Sequence, residues 1–339
     1  RTEHPWLAEG SQTVQQQALR DFAQAMTNFF HGDCGRPAWR KAGHHEGFRV
    51  TGQRGKQWDV RRLNRKGAAV KIPKVGWVRF RLSRPLPKGV KSFRVTLDRA
   101  GRWHVAFAAI PAPVPGPCTG EVVGIDRGVK VSAALSTGEM VAVPGLSGRE
   151  AARLRRLERR LARAGRGSNR RRQVKAQVAR MKARDADRRR DWVEKTSTDI
   201  ARRFDVIRVE DLKVRDMTRS AKGTRDKPGR NVAAKAALNR GIQRSGWGKL
   251  VQRLEDKAPG RVEKIPPAYT SQRCSACGHV DGRSRESQAD FQCTACGYAC
   301  NADVNAARNI AAGHAVNARG GDRDAGPANR EPQLALLAS

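Results

Sequence analysis

Two Cys-x-x-Cys pairs near the C-terminus constrain the fold more than any other feature of this sequence. Fifteen residues separate the pairs, and each pair is followed by a glycine, Gly278 or Gly297, that permits a tight turn. Two such turns can present four thiolates to one tetrahedral Zn²⁺, and a closed thiolate shell makes that metal structural. A chance set of buried or redox-active cysteines fits this spacing poorly. The predicted ligands of one structural Zn²⁺ are Cys274, Cys277, Cys293 and Cys296.

The other three cysteines, Cys34, Cys118 and Cys300, have no partner at a comparable spacing, and we expect Cys300 to be a spare thiol. An odd number of cysteines, most of them in one cluster, does not indicate the disulfide framework of a secreted protein. The N-terminus also lacks the apolar core of a signal peptide. These features predict a reducing, cytoplasmic location.

The charge balance is the second strong constraint. The chain has 68 lysine and arginine residues against 32 aspartate and glutamate residues, a formal net charge of +36. Such an excess repels itself unless a polyanion neutralises it, so nucleic acid is the predicted partner. An anionic membrane surface is the rival interpretation, but no run approaches the roughly 18 apolar residues that a spanning helix needs. We therefore expect no membrane contact.

The first third of the chain shows two apolar patterns. Apolar residues at spacings of three and four predict a helix over residues 11–30. From residue 48 to 110 apolar residues alternate with basic and polar ones, which predicts an antiparallel meander with one apolar and one basic face. A small β-barrel is the simplest closure of these strands. The proline-rich stretch 111–117 predicts a linker and a domain boundary.

After the linker the pattern alternates between short apolar strands and long helices. Strands are predicted within 121–128, ending in Asp126, then in a hairpin around Thr137–Gly138, at 205–210 and at 262–265. Residues 211–231 are polar and predict a mobile loop. The predicted helices are a basic helical hairpin over 149–203, broken at Gly165–Ser168, one helix over 232–256 and a short helix from Asp303 to Ala312.

Three acids occupy positions from which they could share one site. Asp126 and Glu210 end two apolar strands, and neighbouring strands lie roughly 4.8 Å apart, so their carboxylates can converge. Asp303 opens a helix just after the cysteine cluster. Three such carboxylates could bind two Mg²⁺ about 4 Å apart and promote phosphodiester hydrolysis. From the residues alone, Asp126 could equally be a turn residue, Glu210 an ion-pair partner and Asp303 a helix cap.

Basic and aromatic residues suggest where nucleic acid would bind. A solvated helix usually mixes charges of both signs, so the strongly basic 149–190 part of the hairpin predicts contact with a nucleic-acid backbone. Trp39, Trp58 and Trp77 lie among lysines and arginines and suit base stacking, although core packing is the stronger prediction for Trp77 and Trp103. The predicted nucleic-acid contacts are Arg127, Arg155, Arg156, Arg159, Arg170, Arg171, Arg172 and Lys175; for Arg127 an ordinary surface role is equally consistent.

Four motifs occur in a specific order. They are GIDRGV at 124–129, VEDL at 209–212, YTSQRCSACG at 269–278 and CGYACNADVNAARNI at 296–310. Together they resemble the OrfB/TnpB family of insertion-sequence proteins, which is related to the miniature type V CRISPR effectors. The resemblance extends over roughly residues 5–312.

The resemblance implies a multidomain α+β fold. Its centre would be an RNase H-like RuvC α/β nuclease core with an inserted zinc ribbon, preceded by a β-barrel wedge domain and a partial helical recognition segment. The implied domains are a helical segment at 1–46, a wedge at 47–115, a nuclease domain at 119–268 and 298–312 that includes the basic hairpin, a zinc ribbon at 269–297 and a disordered tail at 313–339.

The resemblance also implies a function. Members of the family use a guide RNA to cut DNA, so the expected partners are guide RNA and target DNA. Asp126, Glu210 and Asp303 match the family's metal-binding acids, which implies an RNA-guided endonuclease with two catalytic Mg²⁺. Two alternatives are a nuclease-defective RNA-guided DNA-binding protein or fragment, and a transposase proper that makes and joins DNA ends.

Two departures from the family pattern stand out. Asn301 replaces an acid that many relatives carry two residues before the third aspartate, and this exchange is expected to tune the acidic site. Family members also begin with a strand and helices ahead of what is Arg1 here, so an N-terminal part is expected to be missing.

Overall fold

A computed structural model describes residues 3–38, 43 and 46–313 of the protein. Trp39 and the predicted tail beyond Gly313 lie outside the described residues. Within the described part of the chain, none of the helices combines the length and the apolar character needed to cross a bilayer.

Most of the described helices and strands fall where the sequence patterns predict them. The helices are α1 (Trp6–Glu9), α2 (Gln12–Phe30), α3 (Gly148–Arg163), α4 (Asn169–Arg203), α5 (Val214–Met217), α6 (Val232–Ser245), α7 (Trp247–Lys257) and α8 (Ala302–Ala312). The strands are β1 (Gly47–Thr51), β2 (Asp59–Arg62), β3 (Gly67–Ile72), β4 (Gly76–Arg81), β5 (Ser92–Leu97), β6 (Trp103–Ala108), β7 (Val122–Asp126), β8 (Ala133–Leu135), β9 (Met140–Val141), β10 (Val206–Glu210), β11 (Val262–Ile265), β12 (Asp290–Gln292) and β13 (Ala299–Asn301). However, α1, β12 and β13 were not predicted, and α5 lies within the predicted loop 211–231.

The chain folds as two compact units. The first contains residues up to Pro111 together with Gly148–Ala183, and the second contains Ala112–Ser147 and the residues from Arg184 onward. The sequence patterns place the whole basic hairpin in the nuclease domain, whereas the structure groups α3 and the first part of α4 with the N-terminal unit. These helices have a stripe of buried apolar side chains, including Leu157 and Val174. The sequence pattern predicts that such a stripe is buried, but it does not indicate which part of the protein packs against it.

The six strands of the first unit form two three-stranded antiparallel sheets, β1-β5-β6 and β2-β3-β4, around one apolar core. Trp58 lies at the centre of this core and packs edge-on against Phe93, with ring centroids 5.3 Å apart. Among the described strands no hydrogen-bonded ladder joins the two sheets. The strands expected to close into a continuous barrel therefore form a pair of sheets that share a core.

The positions of the tryptophans correct the sequence analysis. Trp58 was predicted to suit base stacking, but its side chain is only 1% exposed. Trp77 and Trp103 were expected in the core, but they are 40% and 57% exposed. Trp77 shares a strand face with Arg79, two residues further along β4, so the alternation that puts Arg79 in solvent puts Trp77 there too. Trp103 is the first residue of β6, and at this end of the strand the apolar core does not cover its side chain.

The second unit is built on a five-stranded sheet in the order β11-β10-β7-β8-β9. Strands β7, β10 and β11 are parallel, and β8 and β9 form the predicted hairpin. Trp247, Leu250 and Leu254 of α7 are buried as predicted. The single helix predicted over 232–256 is wrong, because Gly246 adopts a left-handed conformation, with φ of 76°, and separates α6 from α7.

Helix α8 lies unusually close to β7, and Gly124 makes this possible. A Cβ atom at position 124 would lie 2.0 Å from the carbonyl oxygen of Ala307 and 2.3 Å from the backbone nitrogen of Ala311. Only glycine leaves room for that approach of helix backbone to strand backbone. The second half of α8 is thereby held against the middle of β7.

Candidate metal centres

Asp126, Glu210 and Asp303, called here the acidic trio, meet at one edge of the five-stranded sheet. Strands β7 and β10 are parallel neighbours, and their register pairs Ile125 with Val209, the residues just before the first two acids. The carboxyl ends of parallel strands emerge at the same edge, so Asp126 and Glu210 do as well. Asp303 is the second residue of α8, and the contact of α8 with β7 brings it to the same place.

The electrostatics of the trio agree with this convergence. Burial raises the pKa of Asp126 well above its usual value, and the charges of Glu210 and Asp303 raise it further. Burial also raises the pKa of Asp303, an effect opposed by Arg285, whose Nη2 lies 3.5 Å from Asp303 Oδ1. Negative charge is therefore costly here, and a bound cation would relieve that cost.

Asn301 begins α8 rather than joining the trio. Its Oδ1 accepts hydrogen bonds from the backbone N–H groups of Asp303, at 3.0 Å, and Val304, at 3.3 Å. This is the geometry of a helix N-cap, which satisfies amides that have no partner within the helix. The exchange expected to tune the acidic site thus acts on the backbone that carries Asp303.

The four predicted zinc ligands form a compact cluster. Their Sγ atoms all lie within 4.8 Å of one another; Cys274 and Cys296 are 3.8 Å apart, and Cys277 and Cys293 are 3.6 Å apart. A tetrahedron with Zn–S bonds of about 2.3 Å has sulfur separations of about 3.8 Å. Each pair is closed by the N–H of its following glycine, which donates to the carbonyl oxygen of Cys274 or Cys293. The four cysteines fit a structural zinc ribbon.

Backbone amides favour the thiolate form of Cys293, whereas hydrogen bonds with the neighbouring thiols and burial raise the pKa of Cys296. Hydrogen bonds from the N–H groups of Cys296 and Ala295 lower the pKa of the Cys293 thiol to about 6, and a thiolate is the form that binds zinc. Within the described part of the chain, no other set of three or more His, Cys, Asp or Glu side chains is as tight. The acidic trio is more open than this four-cysteine cluster.

Comparison with known proteins identifies the family. The family model “Probable transposase” (OrfB_IS605) matches residues 104–221, and the model “Cas12f1-like, TNB domain” matches residues 247–310. The chain is 38% identical over 346 residues to “Putative RNA-guided DNA endonuclease InsQ” of Escherichia coli (strain K12), covering 100% of this chain and 84% of that protein. The chain belongs to the OrfB/TnpB family. The resemblance drawn from the four motifs is confirmed.

Two further similarities accompany this OrfB/TnpB assignment. A “Putative RNA-guided DNA endonuclease” of Streptomyces pristinaespiralis is 33% identical over 322 residues, which cover 93% of this chain and 75% of that protein. Among solved structures, the Cas12f1 chain of a “Cas12f1-sgRNA-target DNA complex” is similar at a TM-score of 0.43 and 16% identity, over 84% of this chain and 68% of that chain.

Arg127 does not occupy the surface position expected for a phosphate contact. Its side chain is buried, and Nη2 donates a hydrogen bond to the backbone carbonyl oxygen of Glu210. Burial lowers the pKa of this guanidinium, while the nearby carboxylates of Glu210, Asp126 and Asp211 oppose that effect. In this OrfB/TnpB protein Arg127 therefore connects the ends of the two strands that carry Asp126 and Glu210.

The remaining predicted nucleic-acid contacts lie on the basic hairpin of α3 and α4. Arg171 is the exception among them, because it is half-buried and its Nη1 donates to the carbonyl oxygens of Leu161, at 2.7 Å, and Ala164, at 3.0 Å. Those bonds satisfy the C-terminal end of α3, so Arg171 has a structural role. The exposed ones are Arg155, Arg156, Arg159, Arg170, Arg172 and Lys175.

Three polar residues around the acidic trio were missed in the sequence analysis. Thr270 donates to Glu210, and Asn305 and Asn309 of α8 bond to the segment that contains Thr270. A signal for the asparagines was available, since they lie four residues apart in a helix that is otherwise rich in alanine. Two amides on one buried helix face require partners. Nothing comparable marked Thr270.

Proposed function

We propose that this protein is an RNA-guided DNA endonuclease that hydrolyses DNA phosphodiesters at Asp126, Glu210 and Asp303. The observation that carries the proposal is the convergence of these three acids, from two parallel strands and one helix, in a chain of net charge +36. The names of the two relatives that match most of the chain support RNA guidance and a DNA target. The positive charge would attract the polyanion, while the acidic trio would hold metal.

The donor set fits Mg²⁺, because carboxylate oxygens are the ligands that this ion prefers. The trio is more open than the four-cysteine cluster, which suits two ions rather than one. Bound Mg²⁺ would activate a water molecule and stabilise the leaving oxygen of the phosphodiester. Asp126, Glu210 and Asp303 would hold the ions, and Arg127 would keep the first two acids at a fixed separation.

The domain assignment follows the same proposal. The proposed RuvC-type nuclease core is 119–268 and 298–312, which takes in most of the second unit together with the Gly148–Ala183 hairpin segment of the first unit, and residues 269–297 form the proposed zinc ribbon. The two sheets of the first unit correspond to a wedge domain at 47–115, with α1 and α2 as part of a recognition segment at 1–46. A parallel β7–β10–β11 core with a pendant β8–β9 hairpin supports the nuclease part.

A cleavage assay tests this function. The protein is purified with its copurifying RNA, the RNA is sequenced, and DNA that matches it is incubated with protein, RNA and Mg²⁺. RNA-dependent cleavage of matched DNA, and none of unmatched DNA, is the expected result. Binding without cleavage would indicate a nuclease-defective RNA-guided binding protein. Joined DNA ends formed without RNA would indicate a transposase proper.

Removing charge from the exposed side of the hairpin should weaken RNA binding in a salt-dependent way. For the combined change of Arg155, Arg156 and Arg159 to glutamine, we expect the slope of log K against log salt to fall by about 2 to 3, since each lost phosphate contact contributes about 0.7–0.9. Fluorescence anisotropy with the copurified RNA at several salt concentrations measures this slope.

Arg203→Gln is the matched control, because Arg203 is already paired with Glu139 and Asp199. Its slope should equal that of the unchanged protein. An unchanged slope in the triple variant would remove the hairpin from the RNA interface.

Trp77 is the best-placed aromatic for stacking on a base. It is exposed on the outer face of the β2-β3-β4 sheet, and the guanidinium carbon of Arg61 lies 4.4 Å from its ring centroid. Stacking on one base contributes about 1–3 kcal/mol, so Trp77→Ala should weaken RNA binding by roughly tenfold or more. Trp77→Phe should retain most of the affinity. Equal affinities for Trp77→Ala and the unchanged protein, in the same anisotropy assay, would contradict this role.

A further inference from the structure

We propose that Thr270 is a positioning residue for Glu210, and that Asn305 and Asn309 fix the segment of Thr270 to α8. Glu210 and Asp303 would then be held by one continuous support. This inference rests on the proposed function, because it concerns how the acidic trio is arranged to bind metal.

The first step is the contact between Thr270 and Glu210. Thr270 Oγ1 donates a hydrogen bond to Glu210 Oε1 at 2.7 Å, and both side chains are buried. A hydroxyl has one proton, and its other acceptor, the carbonyl oxygen of Pro267, is more distant at 3.2 Å. A hydrogen bond to a carboxylate is stronger than one to a neutral acceptor. This contact therefore restricts which way the carboxylate of Glu210 faces.

The second step is the attachment of Thr270 to α8. Asn309 Nδ2 donates to the carbonyl oxygens of Thr270, at 2.9 Å, and Arg273, at 2.7 Å. Asn305 Nδ2 also donates to the carbonyl oxygen of Arg273, at 2.7 Å. Both asparagines are buried in α8, the helix that carries Asp303. The residue that orients Glu210 and the helix that presents Asp303 are thus directly bonded.

The backbone before Thr270 is in an uncommon conformation. Tyr269 has φ of 60°, a left-handed value that a residue with a Cβ atom rarely adopts. Its carbonyl oxygen accepts hydrogen bonds from the N–H groups of Gln272 and Arg273, each at 3.0 Å. Such strain persists only where the surroundings determine it, and here the outcome is to direct Thr270 at Glu210.

The same segment is anchored at its far end by the four-cysteine cluster. Cys274 follows Arg273 directly, and the N–H of Ser275 donates to Asn305 Oδ1 at 2.9 Å. Asn305 therefore bonds on both sides of Cys274. The support for Glu210 therefore extends without a break from the strand end to the cysteines.

The test removes only the hydroxyl. In Thr270→Val and in Thr270→Ala, Mn²⁺ binding to the zinc-loaded protein is measured by electron paramagnetic resonance titration. We expect the apparent dissociation constant of the site that is lost in Asp126→Asn to rise about 10–100-fold, the usual effect of removing a group that orients a metal ligand. Thr270→Ser keeps the hydroxyl and should stay within about threefold of the unchanged protein.

Thr294→Val is a matched control. It removes another hydrogen bond from a threonine hydroxyl to a carboxylate, that of Thr294 Oγ1 to Asp281 Oδ2 at 2.9 Å, away from the trio. Its Mn²⁺ affinity should be unchanged. A double-mutant comparison adds that Thr270→Val should have little further effect in Glu210→Gln, because the two residues would act as one unit.

The outcomes separate this inference from the proposed function. Unchanged Mn²⁺ affinity in both Thr270→Val and Thr270→Ala, with affinity lost in Asp126→Asn, overturns the role of Thr270 and leaves the proposed function intact. Affinity unchanged in Asp126→Asn as well would overturn both. If the valine variant fails to fold, as judged by its thermal unfolding and zinc content, the alanine variant decides, since it adds no methyl group near Glu210.

Discussion

Replacing Asp126 with asparagine should abolish RNA-guided DNA cleavage while leaving RNA binding unchanged. Asparagine has the shape of aspartate but lacks the negative charge that would hold metal at the end of β7. We expect the cleavage rate to fall at least about a thousandfold, which corresponds to about 4 kcal/mol of transition-state stabilisation. Single-turnover cleavage of DNA matched to the copurified RNA measures the rate, and anisotropy with the same RNA is the control. Cleavage within tenfold of the unchanged protein would rule Asp126 out as a metal ligand.

The same variant should be more stable than the unchanged protein when no divalent ion is added. Burial and the charges of Glu210 and Asp303 raise the pKa of Asp126 well above its usual value. An acid whose pKa is raised on folding destabilises the folded state progressively as the pH rises above the pKa of the unfolded chain, and the loss is complete once the pH exceeds the raised pKa. We therefore expect Asp126→Asn to raise the melting temperature by about 2–4 °C at pH 8, the shift that about 1 kcal/mol produces in a domain of this size. A lower melting temperature would contradict the observed crowding of the trio.

Loss of one zinc ligand should have the largest effect on stability. The ribbon has a small apolar cluster around Phe291 and Cys293, too little to fold a segment of this length alone. Structural zinc contributes about 10–16 kcal/mol of apparent binding free energy in small zinc domains. In Cys274→Ser we expect zinc content to fall from one per chain to near zero, residues 269–301 to become sensitive to protease, and cleavage to be lost with them. Elemental analysis and limited proteolysis measure these changes.

Cys300→Ser is the matched control for this experiment. Cys300 lies only four residues after Cys296 and is half-buried, yet it is not one of the four clustered thiols. It should keep one zinc per chain and a protease-resistant ribbon. Zinc loss in Cys300→Ser that equals the loss in Cys274→Ser would mean that the ligand set is assigned wrongly.

The parts of the fold that the sequence predicts well are those decided by local pattern. Strand β11 has the predicted limits, and the break between α3 and α4 falls at Gly165–Ser168 as expected. Alternation also records which residues share a face. It places Trp77 on the same face as the exposed Arg79. The prediction that Trp77 is buried instead relied on the general preference of large aromatic side chains for the core. The error at Trp77 arose because alternation does not state which face is covered.

The sequence points to the four cysteines and the three acids more readily than to the side chains that support them. Cysteine spacing and acids at strand ends are visible in one dimension, because both depend on neighbours along the chain. The supports depend on contacts between distant segments: Arg127 with Glu210, Thr270 with Glu210, and Asn309 with Thr270. From the sequence alone, Arg127 beside the strand-end acid Asp126 is expected to face solvent. Its burial depends on β10, the neighbouring strand that carries Glu210. Only the folded structure shows which of these polar side chains are buried and which groups they contact.

The placement of Asp303 on α8 has a consequence for biosynthesis. Asp126 and Asp303 are separated by more than half of the chain, and a nascent polypeptide folds its earlier segments first. A ribosome therefore exposes β7 and β10 long before the helix that completes the trio has been translated. An incomplete translation product that stops before α8 would carry the basic surfaces without the third acid. Under the proposed function, such a product would attract nucleic acid but would not cut it.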